Sequence, residues 1–183
     1  MTIRIDEHLC LREINIADTQ SIFQIIDAYR DELREWLTFI DSTISDMDTL
    51  NYIKSVSPYN SDGDKVYTIL YNEKIVGLID IENIHICNNK AEIGYWLSPE
   101  YQGKGIMRKS VMSLMHYAFT HLEFNRIQIK CAVANHKSNN IPLKIGFKHE
   151  GIEREGELLS SGKYTDLNVY SMLKHEFITI PTS

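Results

Sequence analysis

Nine residues, Tyr101-Gln102-Gly103-Lys104-Gly105-Ile106-Met107-Arg108-Lys109, separate an apolar run, Ile93 to Leu97, from a stretch of helical period, Val111 to Leu122. A strand, a glycine-containing turn and a helix in that order constrain both fold and chemistry. Unpaired backbone N–H groups at a helix start converge on one point, and the helix dipole adds positive potential there. Gly103 and Gly105 carry no Cβ, so a bulky anion can approach the main chain closely. Lys104, Arg108 and Lys109 add mobile positive charge. The segment therefore reads as a phosphate cradle.

The elements around it define a mixed sheet. Ile3, Ile5, Leu9 and Leu11 mark an extended segment with a polar turn at Asp6 to His8, and Asn15 reads as an N-cap. Ile22, Phe23, Ile25, Ile26, Tyr29, Leu33, Trp36 and Leu37 then recur at helical spacing. Ser45-Asp46-Met47-Asp48 resembles a capping box opening a second helix, and Ser57 to Asp64 reads as a loop. Val66 to Tyr71 and Lys74 to Ile81 flank a two-residue Asn72-Glu73 turn, the pattern of a hairpin. Ala91 to Leu97 follows as a strand, and Val111, Leu114, Met115, Ala118 and Leu122 form one apolar helical stripe.

Arg126 to Val133 alternates as a strand, and His136 to Ile145 reads as a short helix kinked near Pro142. Phe147 to Ile152 and Lys163 to Leu173 close the chain as strands joined by a polar excursion. The order β, α, α, β, β, β, α, β, α, β, β predicts an α/β protein of the α+β type. A central mixed sheet of six to seven strands carries flanking helices, all within one domain spanning residues 1–183.

Composition narrows the function classes. A net charge of −6 argues against general affinity for nucleic acid or an anionic membrane, and suits a cationic partner such as an amine. Cys10, Cys87 and Cys131 are dispersed and odd in number, so neither a disulfide framework nor a zinc ribbon is expected. The seven histidines lack metal-ligand spacing, and no metal is expected. No apolar run reaches a membrane span and the N-terminus lacks a signal-peptide block, so a cytoplasmic protein is expected.

Two nucleotide patterns fail against the turn. Walker A requires Gly-Lys-Ser/Thr with a glycine five positions earlier, but Gly105 follows Gly103-Lys104 and position 98 is Ser98. The dinucleotide pattern requires a third glycine where Arg108 stands. A plain strand–helix turn that binds nothing remains the plain alternative.

The wider run Ala91-Glu92-Ile93-Gly94-Tyr95-Trp96-Leu97-Ser98-Pro99-Glu100-Tyr101-Gln102-Gly103-Lys104-Gly105 resembles the acetyl-CoA-binding core of the GNAT N-acetyltransferase superfamily. That family's signature, Gln/Arg-x-x-Gly-x-Gly/Ala, falls on Gln102, Gly105 and Met107, and Met107 departs from it. Asn135-His136-Lys137-Ser138 with Ile145-Gly146-Phe147 is similar to a second block of the same superfamily, and the element order agrees over nearly the whole chain. The Ala91–Trp96 run and the Gly146–Gly151 run resemble the RimJ/RimL branch, whose members acetylate N-terminal amines of ribosomal proteins.

The resemblance implies a GNAT-like fold, acetyl-CoA as co-substrate and a primary amine as acceptor, with a ribosomal-protein N-terminus as the expected partner. It also implies a homodimer. Leu97, Gln102, Gly103, Lys104, Gly105, Ile106, Met107, Asn135 and Ser138 become the expected acetyl-CoA-binding residues. Met107 must then give its backbone N–H to the ligand and turn its side chain away.

Acyl transfer from a thioester to an amine requires amine deprotonation, oxyanion stabilisation and thiolate departure. No covalent nucleophile is needed, because a neutral amine attacks directly and positioning supplies much of the rate. Glu92, on the strand entering the turn, is one candidate base; the alternative is a strand glutamate paired with a cross-strand Lys or Arg. Glu157 is the second, placed as a glutamate proposed to be catalytic in RimL-type enzymes; the alternative is a solvated loop acid in the Glu153, Glu155, Glu157 series. By resemblance Ser138 faces the CoA sulfur and protonates the leaving thiolate, while as a bare sequence it and Asn135 equally suit helix capping.

Trp36, Phe39 and Tyr52 line an acceptor groove or pack helices, and Tyr164 contacts the amine or belongs to the core. Competing functions are acetylation of a small amine (a polyamine, an amino acid or an antibiotic), a non-catalytic acyl-CoA-binding module, and, weakened by the failed Walker pattern, a nucleotide hydrolase.

Overall fold

In the computed structural model, which describes residues 1–56 and 63–178, the N-terminal extended segment folds back on itself as two strands, β1 (Thr2–Arg4) and β2 (Leu9–Glu13). The Asp6 carboxylate accepts hydrogen bonds from the backbone N–H groups of His8 and Leu9 at 2.9 Å and so closes the turn. This hairpin raises the sheet to eight strands, above the six to seven expected. Most of the Ser57 to Asp64 loop lies outside the described residues.

The sheet runs β1-β2-β3-β4-β5-β6-β8-β7, with β3 (Lys65–Tyr71), β4 (Lys74–His85), β5 (Lys90–Leu97), β6 (Arg126–Ala132), β7 (Lys148–Leu158) and β8 (Tyr164–Leu173). The expected hairpin is present: Asn72 and Glu73 adopt φ of 48° and 64°, the left-handed pair that matches strand twist in a tight turn. The polar excursion expected after Ile152 is instead strand, because β7 pairs with β8 through Leu158 across two register shifts.

All neighbours are antiparallel except β5 and β6. That parallel pair holds register only at Lys90–Arg126, Ala91–Ile127 and Glu92–Gln128. Beyond Glu92 the strands part, while β5 continues to Leu97 and β6 to Ala132. The sheet therefore opens in a wedge that connects its two faces.

Each face carries its own core, as strand alternation dictates. On one face Ile79, Ile81, Ile93, Ile127 and Ile129 pack with Val111, Leu114, Met115 and Ala118 of α4 (Ile106–Thr120). Val111, Leu114 and Met115 are fully buried, each contributing about 1.5–3 kcal/mol of burial free energy. On the other face Val66, Leu78 and Trp96 pack with Ile22 and Ile26 of α1 (Thr19–Ala28), Leu33 of α2 (Arg30–Leu33) and Ile53 of α3 (Asp46–Val56).

The single long helix expected from Ile22 to Leu37 is broken at Tyr29, and Trp36 and Leu37 lie beyond its last turn. Arg30 holds the connection that follows by donating to the carbonyls of Ile40 and Thr43 at 2.6 and 2.9 Å. The chain ends, among described residues, with α6 (Lys174–Ile178). No helix among the described residues is long and apolar enough to cross a membrane.

α5 (His136–Ile145) is anchored by a buried side chain, Asn139. Its amide N donates to the carbonyls of Ala132 and Asn135 at 2.8 and 2.7 Å. Its amide oxygen accepts from Asn168 and the Tyr170 hydroxyl, both at 2.8 Å. Asn139→Leu strips four bonds from a buried site, where each orphaned group costs about 1–3 kcal/mol. We expect a loss on the order of 3 kcal/mol and a Tm lower by roughly 10 °C. An unchanged melt by differential scanning fluorimetry contradicts that anchoring role.

Candidate active site

The turn between β5 and α4 has the geometry of an anion cradle. Gly103 and Gly105 have φ of 76° and 75°, a left-handed backbone that disfavours any side chain. A Cβ built on either meets no atom within 4 Å, so the space above both glycines is open. Gly105 is the N-cap of α4, and the first N–H groups of that helix have no intrahelical acceptor. The residues present thus fit a phosphate-bearing ligand.

The other turn residues divide between scaffold and rim. Leu97, Ile106 and Met107 are buried at 7%, 3% and 6% exposure, so only their main chains can meet a ligand. Met107 packs with Val111 and Leu114 in the core, which is the orientation its departure from the signature requires. Gln102 donates its amide N to the Leu97 carbonyl at 3.2 Å and accepts from Lys137 Nζ at 3.0 Å, so it ties the end of β5 to the start of α5. Lys104 is exposed, with Nζ 4.9 Å from the Tyr101 ring centroid. Lys109 is drawn off to Asp6 at 2.7 Å.

Across the wedge, the second sequence block meets β5. Asn135 caps α5 by accepting from the Ser138 N–H at 3.1 Å, the capping arrangement allowed by the sequence. The Ser138 hydroxyl is within donating reach of Cys131 Sγ at 3.1 Å and Tyr95 Oη at 3.3 Å. Pro142 does not break α5; it removes one donor. A proline has no N–H, so the carbonyl four residues earlier, that of Ser138, loses its helical partner. The Tyr95 hydroxyl replaces that partner, donating to Ser138 O at 3.2 Å. Burial pushes the Tyr95 phenol well above its usual range and raises the Cys131 thiol too, so both stay protonated near neutrality.

On the α1 and α3 face the wedge is lined with carboxylates. Glu92 accepts from Gln128 Nε2 at 3.1 Å and lies 3.6 Å from Lys130 Nζ, which also pairs with Glu153 at 3.0 Å. Glu92 thus has the cross-strand Lys partner that its strand position allows. Glu157 is half-buried in β7, and burial raises its carboxyl above the ordinary range. Glu82 is raised by burial first and then by Asp64, Glu92 and Glu157. Beside it, Asp80 accepts from the Gly94 N–H at 3.0 Å.

The sequence reading singled out neither Tyr95 nor Asp80. A proline four residues after Ser138 signals the first, but only the fold shows which donor fills the gap. Asp80 and Glu82 read as ordinary strand alternation, and nothing in their spacing distinguishes them. Of the aromatic candidates, Phe39, Tyr52 and Tyr164 are exposed and Trp36 is half-buried. Tyr164 is thus outside the core, at the rim of the β7–β8 hairpin. No cluster among the described residues could hold a metal ion.

A helix-capping glycine turn, a parted parallel strand pair and an acid-lined opposite face define an acetyltransferase framework. Residues 8–148 match the acetyltransferase (GNAT) domain family, and the chain belongs to that family. It is 36% identical over 96% of its length to YdaF of Bacillus subtilis (strain 168), provisionally named a ribosomal N-acetyltransferase, and covers 97% of that protein. It is 30% identical to the ribosomal-protein-serine acetyltransferase of Escherichia coli (strain K12), covering 94% of this chain and 96% of that one. Among solved structures it is similar to RimL, the ribosomal L7/L12 alpha-N-protein acetyltransferase, in complex with coenzyme A. The TM-score there is 0.89, with 28% identity and coverage of 94% and 98%.

Proposed function

We propose that this chain transfers the acetyl group of acetyl-CoA to an N-terminal α-amine, with a ribosomal protein as the acceptor. The observation that carries the reading is the wedge between β5 and β6. It opens beside the glycine cradle on one side and onto carboxylates on the other. Donor and acceptor can therefore enter from opposite faces and meet inside the sheet. Two full-length relatives named for ribosomal acetylation support the acceptor class, and a neighbour holding coenzyme A supports the donor.

In this reading Gln102, Gly103, Lys104 and Gly105, with the backbone N–H groups of Ile106 and Met107, hold the pyrophosphate. Leu97 and Asn135 shape the path of the pantetheine arm. Ser138 supplies a proton to the departing sulfur, and Tyr95 fixes the backbone from which that hydroxyl projects. Lys130, 3.6 Å away, and Gln128 both occupy Glu92, which contributes field to the site. Glu157, half-buried and raised by burial, belongs with Glu82 to the acidic face that receives the amine.

The test is an acetyl-CoA consumption screen comparing ribosomal-protein N-terminal peptides with polyamines, amino acids and aminoglycosides. Turnover with the peptides is expected at a kcat/KM at least ~10-fold above any small amine, a gap of about 1.4 kcal/mol in transition-state binding. Faster turnover of a small amine overturns the acceptor assignment. Acetyl-CoA binding without turnover of any amine favours the binding-module alternative.

A further inference from the structure

We propose that Asp80 is the catalytic base that takes the proton from the acceptor ammonium, an assignment that rests on the acetyl-transfer reading and names its proton acceptor. Asp80 pairs with Gly94 across β4 and β5, two residues beyond the last β5–β6 pair, where the wedge begins. Gly94 is what lets it lie there. A Cβ on Gly94 would fall 2.6 Å from Asp80 Oδ1, so a side chain at that position would displace the carboxylate from the strand.

The Gly94 N–H fixes Oδ1 at 3.0 Å, which leaves Oδ2 for a ligand. Among the described residues no cation pairs with Asp80 or Glu82; Lys130 is shared between Glu92 and Glu153. Asp80 is largely enclosed but keeps an accessible edge.

Glu82 on its own strand, Tyr52 on α3 and Asp64 ahead of β3 act on this carboxyl, while Glu92 on β5, Lys130 on β6 and Glu157 on β7 act on the neighbouring Glu82. All but Lys130 and neutral Tyr52 are acidic, so the site attracts an ammonium and disfavours a further negative charge. Burial, then Glu82, raise the Asp80 carboxyl to about 7.

A base near neutrality matches an α-amine, whose pKa is about 7.7–8.0, far better than a lysine side chain at about 10.4. The step balances. Ionised Asp80 takes one proton from the ammonium, and the neutral nitrogen forms a bond to the acetyl carbon as the carbon–sulfur bond breaks. The second nitrogen proton accompanies thiolate protonation, and Asp80 returns its proton to solvent. The preference for α-amines follows from the proton balance, independent of acceptor shape.

The closing experiment has two arms on the full chain. In the first, kcat/KM for an N-terminal peptide is followed from pH 5.5 to 9 in wild type, Asp80→Asn and Glu157→Gln, each checked for the acetyl-CoA-induced rise in Tm. Asp80→Asn is expected to keep that rise, lose about 100-fold in kcat and lose the limb centred near pH 7, while Glu157→Gln loses less than tenfold. In the second arm, carbon-13 NMR follows the aspartate carboxyls of the ligand-free wild type, assigned by the Asp80→Asn spectrum. An Asp80 carboxyl titrating between about 6 and 8 supports the assignment.

A carboxyl titrating near 4, or an Asp80→Asn enzyme within threefold of wild type at every pH, overturns it. If wild type shows neither an acetyl-CoA shift nor transfer to any amine, it is the acetyl-transfer reading that fails. The NMR titration still decides whether Asp80 is tuned as a base.

Discussion

Gly105→Glu is expected to abolish acetyl-CoA binding while leaving a folded protein. In wild type, a ligand at a hundred times its Kd adds about 2.7 kcal/mol to stability. For a domain of this size that is a Tm rise of roughly 5–10 °C. ATP and NAD should give none, because the turn satisfies neither of their sequence patterns. The variant places a carboxylate in the open space above the turn, where a pyrophosphate would lie, and at a φ of 75° that disfavours any side chain.

Two effects thus act together, and Gly105→Ala separates them. Alanine carries the backbone penalty of about 1 kcal/mol but no charge and little bulk. It should lower the ligand-free Tm by a few degrees and retain most of the acetyl-CoA shift. If Gly105→Glu keeps the full shift, the turn is not the pyrophosphate site.

Ser138→Ala should separate binding from chemistry. The hydroxyl reaches Cys131 Sγ on β6 and Tyr95 Oη on β5, but the four bonds of buried Asn139 anchor α5 without it. Removing it should leave the acetyl-CoA-induced Tm rise intact and lower kcat about 100-fold, the usual loss for a positioned proton donor. The Cys131 thiol, raised by burial, keeps its proton but is a weak donor. An unchanged kcat removes Ser138 from the reaction. A lost Tm shift would make the residue structural.

What the sequence disclosed, and what it withheld, follows from the range of each interaction. The β3–β4 hairpin, the α4 stripe and the glycine turn are local patterns, and all three appear at the expected positions. The buried Met107 was readable for the same reason: a signature position that lacks a small residue must turn its side chain into the core. Non-local competition was not readable. The polar turn at Asp6 to His8 was readable, but that its two flanks would pair as separate strands and extend the sheet to eight was not.

Pro142 suggested a kink, but the Tyr95 hydroxyl, distant in sequence, occupies the carbonyl it frees, and α5 continues through it. Glu92 and Asp80 are both strand acids, and their difference lies in what faces them. Glu92 meets Lys130 and Gln128, while Asp80 meets a glycine N–H and other carboxylates. A single sequence carries no record of which charge stands across the ladder.

The most direct measurement is mass spectrometry of a ribosomal-protein N-terminal peptide that also contains a lysine, incubated with acetyl-CoA and the enzyme. A single acetyl group on the α-amine is expected, dependent on enzyme and absent with Gly105→Glu. An acetyl group on the lysine side chain, or transfer that persists in Gly105→Glu, would contradict it.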